Sequence, residues 1–119
     1  MAKGGPIRSH HTDTVDKDWS GPKSETKLDA DPKDLRAAHA WADPGEDPDN
    51  KGTYKFPHHQ VGRNGDVGPA NVKACISGIG ILNGGRGGAD IPASDREGVY
   101  RHLATHLRDA GREPPELEK

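Results

Sequence analysis

Four histidines carry the clearest prospect of chemistry in this sequence. His102 and His106 stand four apart in VYRHLATHL, so on a helix both rings point to the same side, and the adjacent His58 and His59 of KFPHHQ can bring two more imidazoles from a loop. Imidazole nitrogen is a zinc donor, which makes these four a candidate zinc set. Against a metal stand the lack of cysteine pairs and the difficulty of turning two adjacent side chains onto one ion. Inward-facing histidines commonly bond backbone carbonyls instead. The reading adopted is therefore structural: the four histidines knit the 53–60 segment to the last helix, with no metal and no cofactor expected.

Other reactive residue types lead to no site. Cys75 is the single cysteine and lies on an apolar stripe, so it reads as a small buried hydrophobe and not as a nucleophile. Asp43, Glu46, Asp47 and Asp49 in DPGEDPDNKG suggest a calcium loop, but the ligand spacing is wrong and two prolines break the wrap, leaving a solvated acidic turn. GGRGG around Arg86 lacks the Lys-Ser/Thr of a phosphate loop and follows a helix, not a strand. No Gly-x-Ser-x-Gly elbow occurs, and the carboxylates cluster in turns that cannot hold a fixed separation. An enzyme is not expected.

The elements that must position the histidines are mostly helical. Asp31-Pro32 supplies an N-cap and a first-turn proline for a helix over about 32–42, with Leu35 inward and Trp41 at its edge. Gly68-Pro69 and Asn83-Gly84 bound a second helix, about 69–83, whose stripe is Val72, Cys75, Ile76 and Ile79. Gly78 and Gly80 inside it predict a close backbone approach. Ser94 and Glu97 form a capping-box pattern for a third helix, about 94–110, with Val99, Leu103, His106 and Leu107 on its buried face and Gly111 at its end. Between the first two helices, Tyr54 and Phe56 alternate like a strand and Asn64-Gly65 marks a turn, giving a hairpin over about 53–67. The expected fold is mainly α with a minor β-hairpin: a small domain over 31–112, a long extended arm over 1–30 and a polar tail over 113–119 that has Leu117 as a last anchor.

The arm holds Ile7, Val15, Trp19 and Leu28 as widely spaced apolar anchors with no period of 2 or 3.6. Such a segment docks on a partner surface and leaves the domain stable without it. Composition agrees with a small core: 119 residues are 29% hydrophobic and 4% aromatic, with 16 glycines and 10 prolines. Seventeen basic against nineteen acidic side chains give a net charge of −2, which argues against a general nucleic-acid binder although five arginines (86, 96, 101, 108 and 112) could line one side. No run approaches a membrane span, and Met1 to Gly5 lacks a signal peptide's apolar segment, so a soluble chain made in a cytoplasm is expected.

Two long runs, WADPGEDPDNKGTYKFPHHQV and GPANVKACISGIGILNGGRGGADIPASDREGVYRHLATHLRDAGREPPEL, together resemble a module of tailed bacteriophages. That module is commonly appended to head maturation proteases and also occurs in small head-region proteins. The resemblance covers roughly residues 36–117, and SHHTDTVDKDWSGP resembles the segment that often precedes the module. KFPHH, LNGGRGG and IPxxDRxxVYRHLxxHL carry most of it. No protease nucleophile is present to transfer. What the resemblance implies is a non-enzymatic head protein in the virion, docked on the major capsid protein as a minor capsid or decoration protein and able to self-associate there. The rival is a nucleic-acid-binding, head-assembly or packaging accessory.

Overall fold

The first two helices each begin where a side chain replaces a missing backbone partner. In the computed structural model, which describes residues 5–19, 31–47, 49–62, 65–85 and 90–117, helix α1 is Pro32–Ala38. Asp31 accepts from the Lys33 N–H at its start. The helix stops short of the expected 42 because the His39 ring donates to the Leu35 carbonyl at 2.7 Å, taking the acceptor that the next turn's amide would use. Helix α2, Val72–Leu82, is capped by Asn71, whose side-chain oxygen accepts from the Ala74 N–H at 3.0 Å. Helix α3, Arg96–Asp109, follows a 3-10 turn over Ala93–Asp95. The Ser94–Glu97 capping box does not form. Asp95 instead accepts from the Trp41 indole N–H at 2.9 Å, and Glu97 pairs with Arg101 one turn on. The end of α3 is as expected: the Gly111 and Arg112 amides turn back to the carbonyls of Arg108 and Leu107.

The mainly-α expectation is overturned by two three-stranded sheets. In the first, β1 (Gly5–Pro6), β3 (Trp41–Ala42) and β4 (Tyr54–Lys55) run antiparallel in the order β1-β3-β4. In the second, β6 (Val67–Asn71) is central, with β2 (Thr14–Val15) parallel on one side and β5 (His59–Val61) antiparallel on the other. The hairpin is therefore β5–β6, not 53–67, and the expected start of the second helix is the end of a strand. Pro69 in a central strand has no N–H to give, and the register with β5 shifts between His59 and Val61 beside it. Short strands of two to five residues leave almost no alternation to read.

The largest correction concerns the arm. Both β1 and β2 come from it, Ile7 is buried at 6% exposure, and the Ile7 amide donates to the Ala40 carbonyl at 2.8 Å. Farther along, the Ala70 amide donates to the Asp13 carbonyl, the Asn71 side-chain amide to the Lys17 carbonyl, and Arg112 pairs with Asp16. Val15 and Trp19 are half-buried, while Leu28 lies outside the described residues, as do Asn64 and Arg86. An isolated arm cannot build a core, but it can supply strands to sheets whose other members lie far along the chain.

The core has two parts. Ala40, Trp41, Val72, Cys75, Ile79, Leu82, Val99, Leu103 and Leu107 form one, with Phe56 and Leu117 packed on it; Ile7, Leu35, Ala38, Ala42, Tyr54 and Val61 form the other. Tyr54 and Phe56 thus serve different clusters. Ile76 departs from its expected place and is 38% exposed, because at about 100° per residue it sits roughly a quarter-turn off the line of Val72, Cys75, Ile79 and Leu82. The expected close backbone approach is found at neither glycine: at Gly78 it is a side chain that comes close, an added Cβ lying 2.8 Å from a Leu103 methyl, and at Gly80 nothing lies within 4 Å.

A second close approach was not foreseen. A Cβ on Gly98 would lie 2.6 Å and 2.7 Å from ring carbons of Pro6, so β1 crosses α3 where the helix has no side chain. Gly98→Ala should lower the melting temperature, because the clash, of about 1–3 kcal/mol, outweighs the better helix propensity of alanine, about 1 kcal/mol. A thermal scan showing an unchanged or raised midpoint would contradict this packing. Deleting residues 1–19 should abolish cooperative unfolding, as it removes one strand from each sheet; a truncated chain with the full-length melting temperature would restore the view of the segment as a docking arm.

Candidate functional site

Five histidine rings from three distant segments meet between the sheets and α3. His10 comes from the N-terminal segment, His58 and His59 from the entry to β5, and His102 and His106 from one face of α3. Neighbouring ring centroids are 4.6–5.4 Å apart, from His58–His59 at the near end to His10–His59 at the far end. Four of the rings are essentially inaccessible, and His10 is half-buried.

Local backbone geometry explains how two adjacent histidines both turn inward. Phe56 adopts φ 63°, a left-handed conformation that is costly for a bulky residue and persists only where its surroundings enforce it. Pro57 follows, and the chain then brings the His58 ring back so that its Nδ1 donates to the Phe56 carbonyl at 2.9 Å. His59, the first residue of β5, donates from Nδ1 to the Gly68 carbonyl at 2.8 Å across the hairpin. His102 donates from Nδ1 to the Ile7 carbonyl at 2.8 Å, which ties β1's exit to α3.

These bonds fix the tautomers. A carbonyl can only accept, so Nδ1 carries the proton in His58, His59 and His102, and Nε2 of each neutral ring is left bare. His106 has Nδ1 3.5 Å from the Thr12 hydroxyl oxygen, whose own hydrogen goes to the Asp13 carbonyl. Nε2 of His10, His59 and His106 is buried with no hydrogen-bond partner among the described residues. Nε2 of His58 and Nε2 of His102 face one another at 3.1 Å, two lone pairs with no hydrogen between them when both rings are neutral. One ligand atom from each of His10, His58, His59 and His106 can be chosen so that all four lie within 4.8 Å of one another.

Burial keeps the rings neutral. It is the largest cause in every case: His59 and His102 are lowered from 6.5 to about 4 and His106 to about 3, while His58 falls well below its ordinary value. Repulsion from the other histidines adds to the effect in each, opposed at His58, His59 and His102 by bonds to backbone carbonyls. His10 is also lowered, by burial first and by His11 second. A set of neutral imidazoles with converging bare nitrogens is what a late transition-metal ion requires of its ligands.

All four histidines singled out in the sequence are brought together in contact with each other, and three of them, His58, His59 and His102, also bond backbone carbonyls. His10 was missed. It stands in a segment without periodicity that read as an arm, and its only signal was proximity to a second histidine in SHHTD. Asn71 was missed too: it caps α2 while its amide reaches the Lys17 carbonyl and the Gln60 side chain, so one buried residue joins three segments. Cys75 is buried, and burial pushes its thiol up to about 12, which leaves it inert. In the acidic turn, Asp43 and Asp47 accept backbone amides two residues on, as turn-forming residues do. The middle of the glycine-rich loop, 86–89, lies outside the described residues.

Compared with protein-family models, curated proteins and solved structures, the chain matches none.

The depressed histidine pKa values carry a sign for stability. The unfolded chain takes up protons first as the pH falls, so the stabilisation is complete above about 6.5 and is lost progressively toward about 4. A ring lowered from 6.5 to about 4 accounts for roughly 3 kcal/mol over that interval. Urea midpoints measured with a chelator present should fall steeply between pH 6.5 and 4, and a flat profile would place the rings in contact with water.

Proposed function

We propose that the chain is a non-enzymatic binding module of a tailed-bacteriophage head, docking on the major capsid protein as a minor capsid or decoration protein. The observation that carries this reading is that the motif-bearing stretches belong to one folded body. KFPHH leads into β5, GPAN forms most of β6, the following ACISGIGIL lies in α2, and DRxxVYRHLxxHL runs through α3. A module whose motifs all belong to one folded body is suited to act as a binding element, although its function is carried over by resemblance and not by geometry.

Folding changes which surface is available for docking. Ile7 belongs to the core, so it cannot also reach a partner. Ile76 is the one large hydrophobic side chain exposed among the described residues. Lys73, one turn earlier on the same outer face of α2, lies 3.4 Å from Asp18, and half-buried Trp19 follows directly. Asp18 thus brings the segment that carries Trp19 to the side of α2 on which Lys73 stands, and an aromatic and an exposed aliphatic are residue types suited to an interface centre.

The arginines favour this reading over a nucleic-acid one. Arg96 donates to the Leu82 carbonyl, Arg101 pairs with Glu97 and Arg112 with Asp16, so three of the five arginines that could have lined one side are engaged within the fold. Co-sedimentation with heads of the phage that carries the chain tests the proposal. Ile76→Asp and Trp19→Ala should each weaken association by tenfold or more while the melting temperature of Ile76→Asp stays within a degree or two of the parent. Full association by both variants would move docking elsewhere; salt-sensitive DNA binding with no head association would replace the reading by the packaging one.

A further inference from the structure

We propose that His10, His58, His59 and His106 bind one divalent late transition-metal ion, zinc by chemical preference, through their Nε2 atoms, as a structural staple between the N-terminal segment, the β5–β6 hairpin and α3. The argument begins with what the rings lack. Three buried Nε2 atoms have no partner among the described residues, and a fourth faces another bare nitrogen. A buried acceptor left unmade costs about 1–3 kcal/mol, and four or five of them in one place is a debt that a small core does not carry without a compensating charge. A proton on one ring would relieve a single pair, at the cost of burying an imidazolium among other histidines. One cation at the point of convergence relieves all of them.

Geometry and supporting contacts both fit. In a tetrahedral zinc site with Zn–N of about 2.0–2.1 Å the donor atoms stand roughly 3.3 Å apart. One ring nitrogen from each of the four proposed ligands already lies within 4.8 Å of the others, so the set has to close by only part of a ring's swing, and the 3.1 Å between Nε2 of His58 and Nε2 of the neighbouring His102 shows that the cluster already holds ring nitrogens at such a spacing. Metal-ligating histidines characteristically donate their other N–H to a carbonyl or similar oxygen, which fixes ring and tautomer. His58 and His59 do so to Phe56 and Gly68, and His106 approaches Thr12. His102, donating to Ile7 and facing His58, is a fifth ring beside the ion, able to enter an expanded sphere. An all-nitrogen set selects late first-row ions over magnesium and calcium, and four protein ligands leave no open position, which is the pattern of structural and not catalytic zinc.

The proposal does not depend on the phage reading, and its test does not touch capsids. Tag-free protein is stripped with chelator and titrated with zinc chloride while bound metal is counted by mass spectrometry, and cobalt(II) is added separately as a spectroscopic probe. Expected are one zinc per chain, a melting temperature raised by zinc but not by magnesium or calcium, and a visible cobalt(II) band of tetrahedral intensity that zinc displaces. His10→Gln removes the least buried of the four ligands, leaves three in place and should fold, yet weaken zinc by more than the roughly 10–100-fold typical of losing a supporting contact. His106→Gln should bind weakest. His11→Gln, at an exposed ring beside Asp109, should bind as the parent does. Stripped protein that takes up no stoichiometric zinc overturns the site, as does a His10→Gln and His106→Gln pair with unchanged zinc affinity, or loss of binding confined to His11→Gln.

Discussion

Everything in the interior depends on three backbone carbonyls, those of Ile7, Phe56 and Gly68, each holding the Nδ1–H of a buried histidine. A neutral imidazole has one donor and one acceptor, so engaging the donor outward forces the acceptor inward. Three rings held this way, joined by His10 and His106, place their bare nitrogens toward a common centre. The strained backbone at Phe56 belongs to the same device, since its carbonyl is one of the three. Strain at a site that orients polar side chains is the usual signature of a backbone held for a purpose other than stability.

The fold around that centre economises on apolar surface. With 4% aromatic residues the chain divides its hydrophobic side chains between two modest clusters, and long-range hydrogen bonds connect them. Trp41 is the clearest link: its ring belongs to the larger cluster, its backbone pairs with both β1 and β4, and its N–H reaches Asp95 at the head of α3. Asn71 does the same on the other sheet. Few residues in such a structure have only one role, and the N-terminal segment cannot be separated from the domain without opening both sheets.

The proposed all-histidine metal centre and the proposed docking face are compatible in one small module. The first gives rigidity that so limited a core cannot supply by packing alone, in the way that metals serve other small domains. The second requires only that a surface stay fixed in shape, which the first provides. Arg96, Arg101 and Arg112 are engaged within the fold.

The sequence by itself determined what is local and periodic. The starts of α1 and the end of α3, the inward faces carrying Leu35, Val72, Ile79, Val99, Leu103 and Leu107, and the inertness of Cys75 all follow from capping chemistry and 3.6-residue spacing, which act within a few turns of chain. The convergence of His58 and His59 with His102 and His106 was half legible, because the i, i+4 pair on α3 has a direction that spacing fixes. What only the tertiary structure decided is everything joined across long separations. Strands of two residues have too little alternation to register, so β1 and β2 read as an arm, and Gly68-Pro69 within β6 read as a helix start because Gly-Pro is equally at home there. Ile76 was misplaced because a helical stripe is broad and the partner decides which edge is covered. His10 joined the cluster because a parallel pairing of β2 with β6, set more than fifty residues apart, carries its segment past α3, and no pattern within a few turns of chain encodes a contact of that range.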